Sequence, residues 1–212
     1  MDLLQSDCHF PFEVILETVR YYLAYKLSCR EIEEIQLERG VVVDHATINR
    51  WVIKFTPVLE HRARRRKKPV SGSWRMDETY IKVKGKWVYY YRAVDKFGSM
   101  IDYYLSPNRD EAAAKAFLNK AILQNGLPSK VVIDGSQSNY ATIDLMNVQL
   151  WLTGYFMLSL VDILDIKYLN NIVEQSHRWV KQKTRQALGW KSKEGALASL
   201  HGREVWTMLK QD

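Results

Sequence analysis

The sequence predicts an α/β chain in three stretches: an all-helical domain over residues 1–60, a basic linker over 61–73, and a mixed-sheet domain over 74–212. Three observations predict this. Apolar residues recur at helical spacing through the first part of the chain, then alternate from Trp74 onward. Between the two regimes stands "HRARRRKK" (61–68), followed by Pro69 and "SGS" (71–73), a composition that suits a boundary. After Trp74, three strand-like runs come first, and helices and strands then alternate.

The elements follow in order. "PFEVILETVRYYLAYKL" (11–27) carries apolar residues at helical spacing. Ser28 with Glu31 three residues on is a capping box that opens a second helix, which stops at Gly40. Asp44 is a good N-cap for a third helix, "HATINRWVIKF", in which Ile48, Trp51, Val52 and Phe55 form a packed stripe. The other side of that helix presents His45, Asn49, Arg50 and Lys54, all able to reach bases or phosphates. Two short helices, a tight turn and a polar outward face make a helix-turn-helix pattern, although a plain three-helix bundle would present the same stripe.

Strands are expected near 74–83, 86–96 and 99–105, joined at Lys84-Gly85-Lys86 and at "DKFG" (95–98). Trp87 and Tyr89 to Tyr91 are read as sheet packing. Asp110 caps a helix ending at Gly126, and "SKVVID" (129–134) is a short buried strand. A helical stretch, the apolar run 150–161, a strand over 162–169 and a helix from Asn171 complete the series. Three antiparallel strands, then helix, strand, helix, strand, helix, is the element order of a ribonuclease-H-like sandwich.

Composition narrows the function. The net charge of +7 is uneven: residues 1–70 carry 12 Lys and Arg against 10 acids, residues 71–174 carry 11 against 11, and residues 175–212 carry 8 against 3. Basic flanks around a neutral middle point to a polyanion partner, with Arg64, Arg65, Arg66, Lys67 and Lys68 as contacts in the linker. Solubility alone would also account for such a run. Two cysteines, Cys8 and Cys29, without CxxC or HxxxH, argue against a structural zinc. The start of the chain lacks signal-peptide features, and the 150–161 run falls short of the ~20 residues that span a bilayer. A cytoplasmic protein without membrane contact is therefore expected.

Asp77 interrupts a strand otherwise rich in Val, Ile, Trp and Tyr, where an unpaired carboxylate costs several kcal/mol to bury. Asp134 ends the "VVID" strand, and Glu174 falls in the first turn of the last long helix. Converged carboxylates raise one another's pKa values unless cations neutralise them, and hard oxygen ligands suit Mg²⁺ or Mn²⁺. Two such ions ~4 Å apart would serve phosphoryl transfer. Each acid also has a structural reading. Asp77 would pair with Arg75 or Arg92, with Glu78 or Asp95 as the ligand instead. Asp134 would make an Asx-turn, and Glu174 would join a capping box with Asn171 or pair with Arg178.

"RMDETYIKVKGKWVYYYRAVD" (75–95) resembles the first acidic strand of the DDE transposases of bacterial insertion sequences, in particular the IS-six (IS-twenty-six-like) family. The resemblance extends to "YYLAYKLSCREIEEIQLERGVVVDHATINRWV", "IKYLNNIVEQSHRWVK" and "LGWKSKEGALASLHGREVWTMLK", in that order along the chain. It implies that Asp77, Asp134 and Glu174 are the catalytic acids holding two Mg²⁺ ions, with Mn²⁺ able to substitute. It further implies binding to double-stranded terminal inverted repeats, cleavage at the element ends, and attack of the freed 3′-hydroxyls on target DNA. Joining two ends implies a homodimer or higher oligomer, nucleoid-associated when bound to DNA. The step from Asp134 to Glu174 is 40 positions and includes the apolar 150–161 run. His177, Arg178, Lys181 and Arg185 follow Glu174 at i+3, i+4, i+7 and i+11, a basic stripe suited to the DNA backbone. A non-catalytic helix-turn-helix protein, or a decayed copy that still binds repeats, would share every basic segment. A nuclease on the same fold would share the acids but not strand joining.

Overall fold

The computed structural model describes residues 10–25, 27–134, 137–152, 161–165, 171–186 and 189–209. Its elements in chain order are α1 (Phe12–Ala24), α2 (Cys29–Glu38), α3 (His45–Arg66), β1 (Ser73–Val83), β2 (Lys86–Asp95), β3 (Met100–Ser106) and α4 (Glu111–Asn125). There follow β4 (Lys130–Ile133), α5 (Gln137–Leu152), β5 (Asp162–Asp165), α6 (Asn171–Gln186) and α7 (Lys193–Leu209). They form two compact units, one of Met1–Lys67 with Gln182–Asp212, the other of Lys68–Lys181.

The first unit is helical and draws on both ends of the chain. The capping box closes as its spacing requires: Glu31 N donates to Ser28 Oγ at 3.2 Å, and Ser28 N donates to Glu31 Oε2 at 2.6 Å. Thr47 N donates to Asp44 Oδ1 at 2.7 Å, starting α3, which continues through Arg66, so the basic run ends a helix. Ile48, Trp51, Val52 and Phe55 are buried against Ile15, Val19 and Leu23 of α1 and Ile32 of α2. Helix α7 completes this core. Tyr22 Oη lies 2.6 Å from Ser199 Oγ, His201 Nδ1 pairs with Glu60 Oε2 at 2.6 Å, and Gly202 lets α7 approach Leu23 closely.

The second unit is a five-stranded mixed sheet in the order β3-β2-β1-β4-β5. β1, β2 and β3 form an antiparallel meander, and β4 and β5 add in parallel beside β1. That strand order and direction, with helices between the parallel strands, is the ribonuclease-H-like arrangement. Lys84 (φ 49°) and Gly85 (φ 78°) make the two-residue β1–β2 turn, whose left-handed backbone matches the twist of the strands. Asp110 Oδ1 accepts from Ala113 N at 2.8 Å to start α4. On one face Trp74, Met76, Tyr91, Ile101, Val131 and Ile133 pack with Phe117 of α4 and Ile143 of α5. Strand parity places Asp77 on the other face. The strand expected over 162–169 is described as far as Asp165, and most of the apolar 150–161 run lies outside the described residues.

Candidate catalytic site and nucleic-acid interface

Asp77 sits midway along β1, with its side chain 15% exposed. Its Oδ2 accepts from His177 Nδ1 at 3.0 Å, and its Oδ1 accepts from Glu78 N at 2.9 Å. Arg92 stands opposite it across the antiparallel ladder, and His177 of α6 contacts its carboxylate. Glu78, on the opposite face, is committed elsewhere. Arg109 reaches its Oε1 through Nε at 2.7 Å and Nη2 at 2.5 Å, and Asn139 Nδ2 donates to its Oε2 at 2.9 Å. The bond to Glu78 also holds the Arg109 guanidinium above its ordinary pKa. Asp95 is occupied too, accepting from the backbone N–H of Phe97, Ser99 and Ser71. The bonds from Phe97 and Ser99 fix the β2–β3 turn, and that from Ser71 ties the segment before β1 to it.

Strand register relates the first two acids. Ser73, Trp74 and Arg75 pair in parallel with Lys130, Val131 and Val132. The pairing ends there; its continuation by two residues would bring Asp134, just past β4, level with Asp77. Asp134 is exposed just past the end of β4, while the residues after it, where an Asx-turn would form, lie outside the described ones. Glu174 belongs to the first turn of α6, and its side chain lies outside the described ones. The same helix, three residues later, brings His177 against Asp77.

Two sequence expectations need correction. His177 does not share the exposed basic stripe: it is 3% exposed, bonded to Asp77, with its ring 6.3 Å from that of Tyr90. On the helix His177 stands about 60° to one side of Glu174 and Arg178 about 40° to the other, so the stripe straddles the edge where α6 meets the sheet. Arg178, Lys181 and Arg185 are exposed. Trp87 is not sheet packing, being 56% exposed, whereas Tyr90 and Tyr91 are buried and Tyr89 half-buried.

In the helical unit, His45, Asn49, Arg50 and Lys54 are all exposed on α3. Glu33 of α2 accepts from His45 Nδ1 at 2.9 Å, and Arg50 Nη2 donates to Thr47 Oγ1 at 2.6 Å, which orders two of the four. Arg64 pairs with Glu60 at 2.8 Å, Arg65, Arg66 and Lys68 are exposed, and Lys67 is half-buried. Sequence reading missed Lys183. It lies on the side of α6 opposite the stripe, buried, with Nζ donating to Leu27 O and standing 4.1 Å from the Tyr22 ring centroid. Burial pushes its pKa down to about 8. Its position half a turn from Arg178 and Lys181 was the available signal.

Among the described residues no three His, Cys, Asp or Glu side chains gather closely enough to hold a metal ion, the Glu174 side chain being outside that set. The donors nonetheless suit a hard divalent cation. They are carboxylates, and each Asp77 oxygen that accepts one bond retains a lone pair. Among the described residues no helix is long and apolar enough to cross a membrane.

A family model of a DDE domain, of the IS240 transposase type, matches residues 71–212. Over 177 residues the chain is 42% identical to a transposase for insertion sequence-like element IS431mec of Staphylococcus aureus (strain Mu50 / ATCC 700699), covering 83% of this chain and 76% of that one. The same identity and coverage relate it to the transposase for insertion sequence element IS257 in transposon Tn4003 of Staphylococcus aureus. Among solved structures it is similar to a chain of the simian T-cell lymphotropic virus intasome in complex with PP2A regulatory subunit B56 gamma. That match has a TM-score of 0.47 and 16% identity, over 66% of this chain and 49% of that one. A likeness that partial bears on neither site nor chemistry.

Proposed function

This chain belongs to the IS-six family of DDE transposases, and we propose on that premise that Asp77, Asp134 and Glu174 are its catalytic acids. The observation that supports the proposal is the parallel β1–β4 register, whose continuation by two residues beyond Arg75 and Val132 would bring Asp134 level with Asp77. Helix α6 supports it, since His177 contacts Asp77 one turn after Glu174.

The three carboxylates would hold two Mg²⁺ ions, or Mn²⁺ in their place, which when bound supply a nucleophilic oxygen and charge neutralisation at the scissile phosphate. The chain's own residues prepare that site. The strand and its neighbours fix the Asp77 backbone, and His177 Nδ1 with the Glu78 N–H fixes the orientation of the carboxylate. Asp134, exposed at the strand end, is open to the solvent from which a substrate phosphate arrives. Arg178, Lys181 and Arg185 offer exposed cations to the DNA backbone along α6.

The helical unit supplies recognition. Asn49, Arg50, Lys54 and His45 lie on the exposed face of the second helix of a helix-turn-helix, and Arg65, Arg66 and Lys68 add phosphate contacts near the end of that helix. Arg64 and Lys67 have protein-facing roles as well, Arg64 through Glu60. The substrate is double-stranded DNA, the element's terminal inverted repeats and then a target. Joining two ends requires at least a dimer.

The test is a supercoiled plasmid carrying the repeats that flank this gene, incubated with the chain and Mg²⁺ or Mn²⁺. Nicks at the repeat ends and joined products are expected, and both should vanish in Asp134→Asn. Repeat binding without cutting in either metal would overturn the catalytic assignment and leave a DNA-binding protein. Cutting without joining would leave a nuclease.

A further inference from the structure

The β1–β2 hairpin extends well past the acids. β4 pairs with β1 only from Ser73 to Arg75, and β3 pairs with β2 from Tyr89 onward. Tyr80 to Val83 and Lys86 to Val88 thus form a two-stranded ribbon with no third strand beside it among the described residues. Lys84 is seven residues on from Asp77, which is about 24 Å of strand.

The ribbon has two unlike faces, one burying Ile81 and Val83, the other exposed. Lys82, Lys84 and Lys86 are all exposed, and no Asp or Glu occurs from Thr79 to Val94 to offset them. Tyr80 and Trp87 are 58% and 56% exposed on the Glu78 face, their rings edge-to-face with centroids 5.0 Å apart. Lys82 Nζ stands 5.9 Å from the Trp87 ring centroid. Uncompensated lysines interleaved with exposed aromatic rings match a phosphate backbone and the sugars and groove edges beside it. A protein partner would have to supply the acids that this ribbon lacks, whereas duplex DNA presents them along its whole length. A two-stranded ribbon is also of a size that the major groove admits.

We infer that this ribbon is a DNA-holding arm that grips the duplex about seven base pairs from the scissile phosphate, outside the helix-turn-helix contacts. The distance follows from about 24 Å of strand at about 3.4 Å per base pair. The inference rests on the transposase reading for the identity of the DNA and for the position of the acids.

The experiment measures binding of the full chain, by fluorescence anisotropy across a salt series, to a duplex carrying the repeat end with DNA on both sides of the cleavage point. Two variants are compared with the wild type, Lys82→Gln/Lys84→Gln/Lys86→Gln and Tyr80→Ala/Trp87→Ala. Losing three phosphate contacts should flatten the slope of log K against log salt by about 2.7. The aromatic variant should bind several-fold more weakly with the slope kept, as expected for apolar contacts to sugars and groove edges that neutralise no phosphate. Trimming one side of the duplex back to within about six base pairs of the cleavage point should erase both differences.

An unchanged slope in the lysine variant overturns the arm. So does a loss that persists on DNA trimmed from either side. A change of assembly state in the aromatic variant, with DNA affinity intact, makes Tyr80 and Trp87 a contact between copies and also overturns it. If the wild type binds the repeat and both variants bind as it does, only the arm falls. If the wild type ignores the repeat, the transposase reading fails with it.

Discussion

Replacing His177 with alanine removes the Nδ1–H that Asp77 Oδ2 accepts at 3.0 Å and leaves the carboxylate held by the Glu78 N–H alone among the contacts described above. A hydrogen bond to a charged group contributes about 1.5–3 kcal/mol, and outer partners of metal ligands typically change affinity or activity by about 10–100-fold. The two ranges agree, because each 1.36 kcal/mol is about tenfold. Asp77 is 15% exposed, so water replaces the lost donor only in part, which favours the upper half of the range. The assay is the rate of repeat-end nicking as Mg²⁺ is titrated. His177→Ala should nick about 10–100-fold more slowly at fixed Mg²⁺ and need more Mg²⁺ for half-maximal rate. His177→Asn keeps an N–H near the Nδ1 position and should recover part of the loss, which separates orientation of Asp77 from the hole left by a buried ring. Repeat binding by the helical unit should not change. A His177→Ala protein that is folded, binds the repeat and nicks with the wild-type Mg²⁺ dependence would refute the view that His177 positions Asp77.

Two predictions concern the helical unit. Lys183 has a folded pKa of about 8 against an ordinary value of 10.5 because burial disfavours its charge, so between pH 8 and 10.5 the unfolded chain binds more protons than the folded one. Stability should therefore rise with pH across that window, by about 3 kcal/mol, and the difference profile between wild type and Lys183→Met in chemical denaturation should show it. Half-buried Cys29, whose thiol burial pushes up and the Lys183 charge pulls down, works in the opposite direction and cancels only in part in that difference. A flat difference profile would mean that Lys183 is solvated. Gly202 is a second test: a methyl there would meet Leu23 Cδ2 at 2.0 Å, so Gly202→Ala should destabilise by about 1–3 kcal/mol, read as a lower Tm. An unchanged Tm would show that Leu23 can rotate away without cost.

Features that depend on neighbours along the chain were legible from the residues alone. The Ser28–Glu31 capping box, the caps at Asp44 and Asp110, the α3 stripe and the Lys84-Gly85 turn all formed where their spacing placed them. Each is decided within one helical turn or one hairpin. The three acids were also legible as candidates, since a charge inside or at the end of an apolar strand needs a reason. The tertiary structure decided whatever depends on residues far apart in sequence. The neighbouring of β1 and β4, with Arg75 paired in parallel to Val132 two residues before each Asp, is encoded by no local pattern. Glu78 was separated from Asp77 by Arg109 and Asn139, which reach it from the loop before α4 and from α5. His177 and Lys183 read in sequence as two more polar residues of a basic helix. Their burial follows from what packs against α6, Asp77 at one and Leu27 with Tyr22 at the other. A side chain's periodicity fixes which side of its helix it occupies, but only the neighbouring elements decide whether that side meets water or protein.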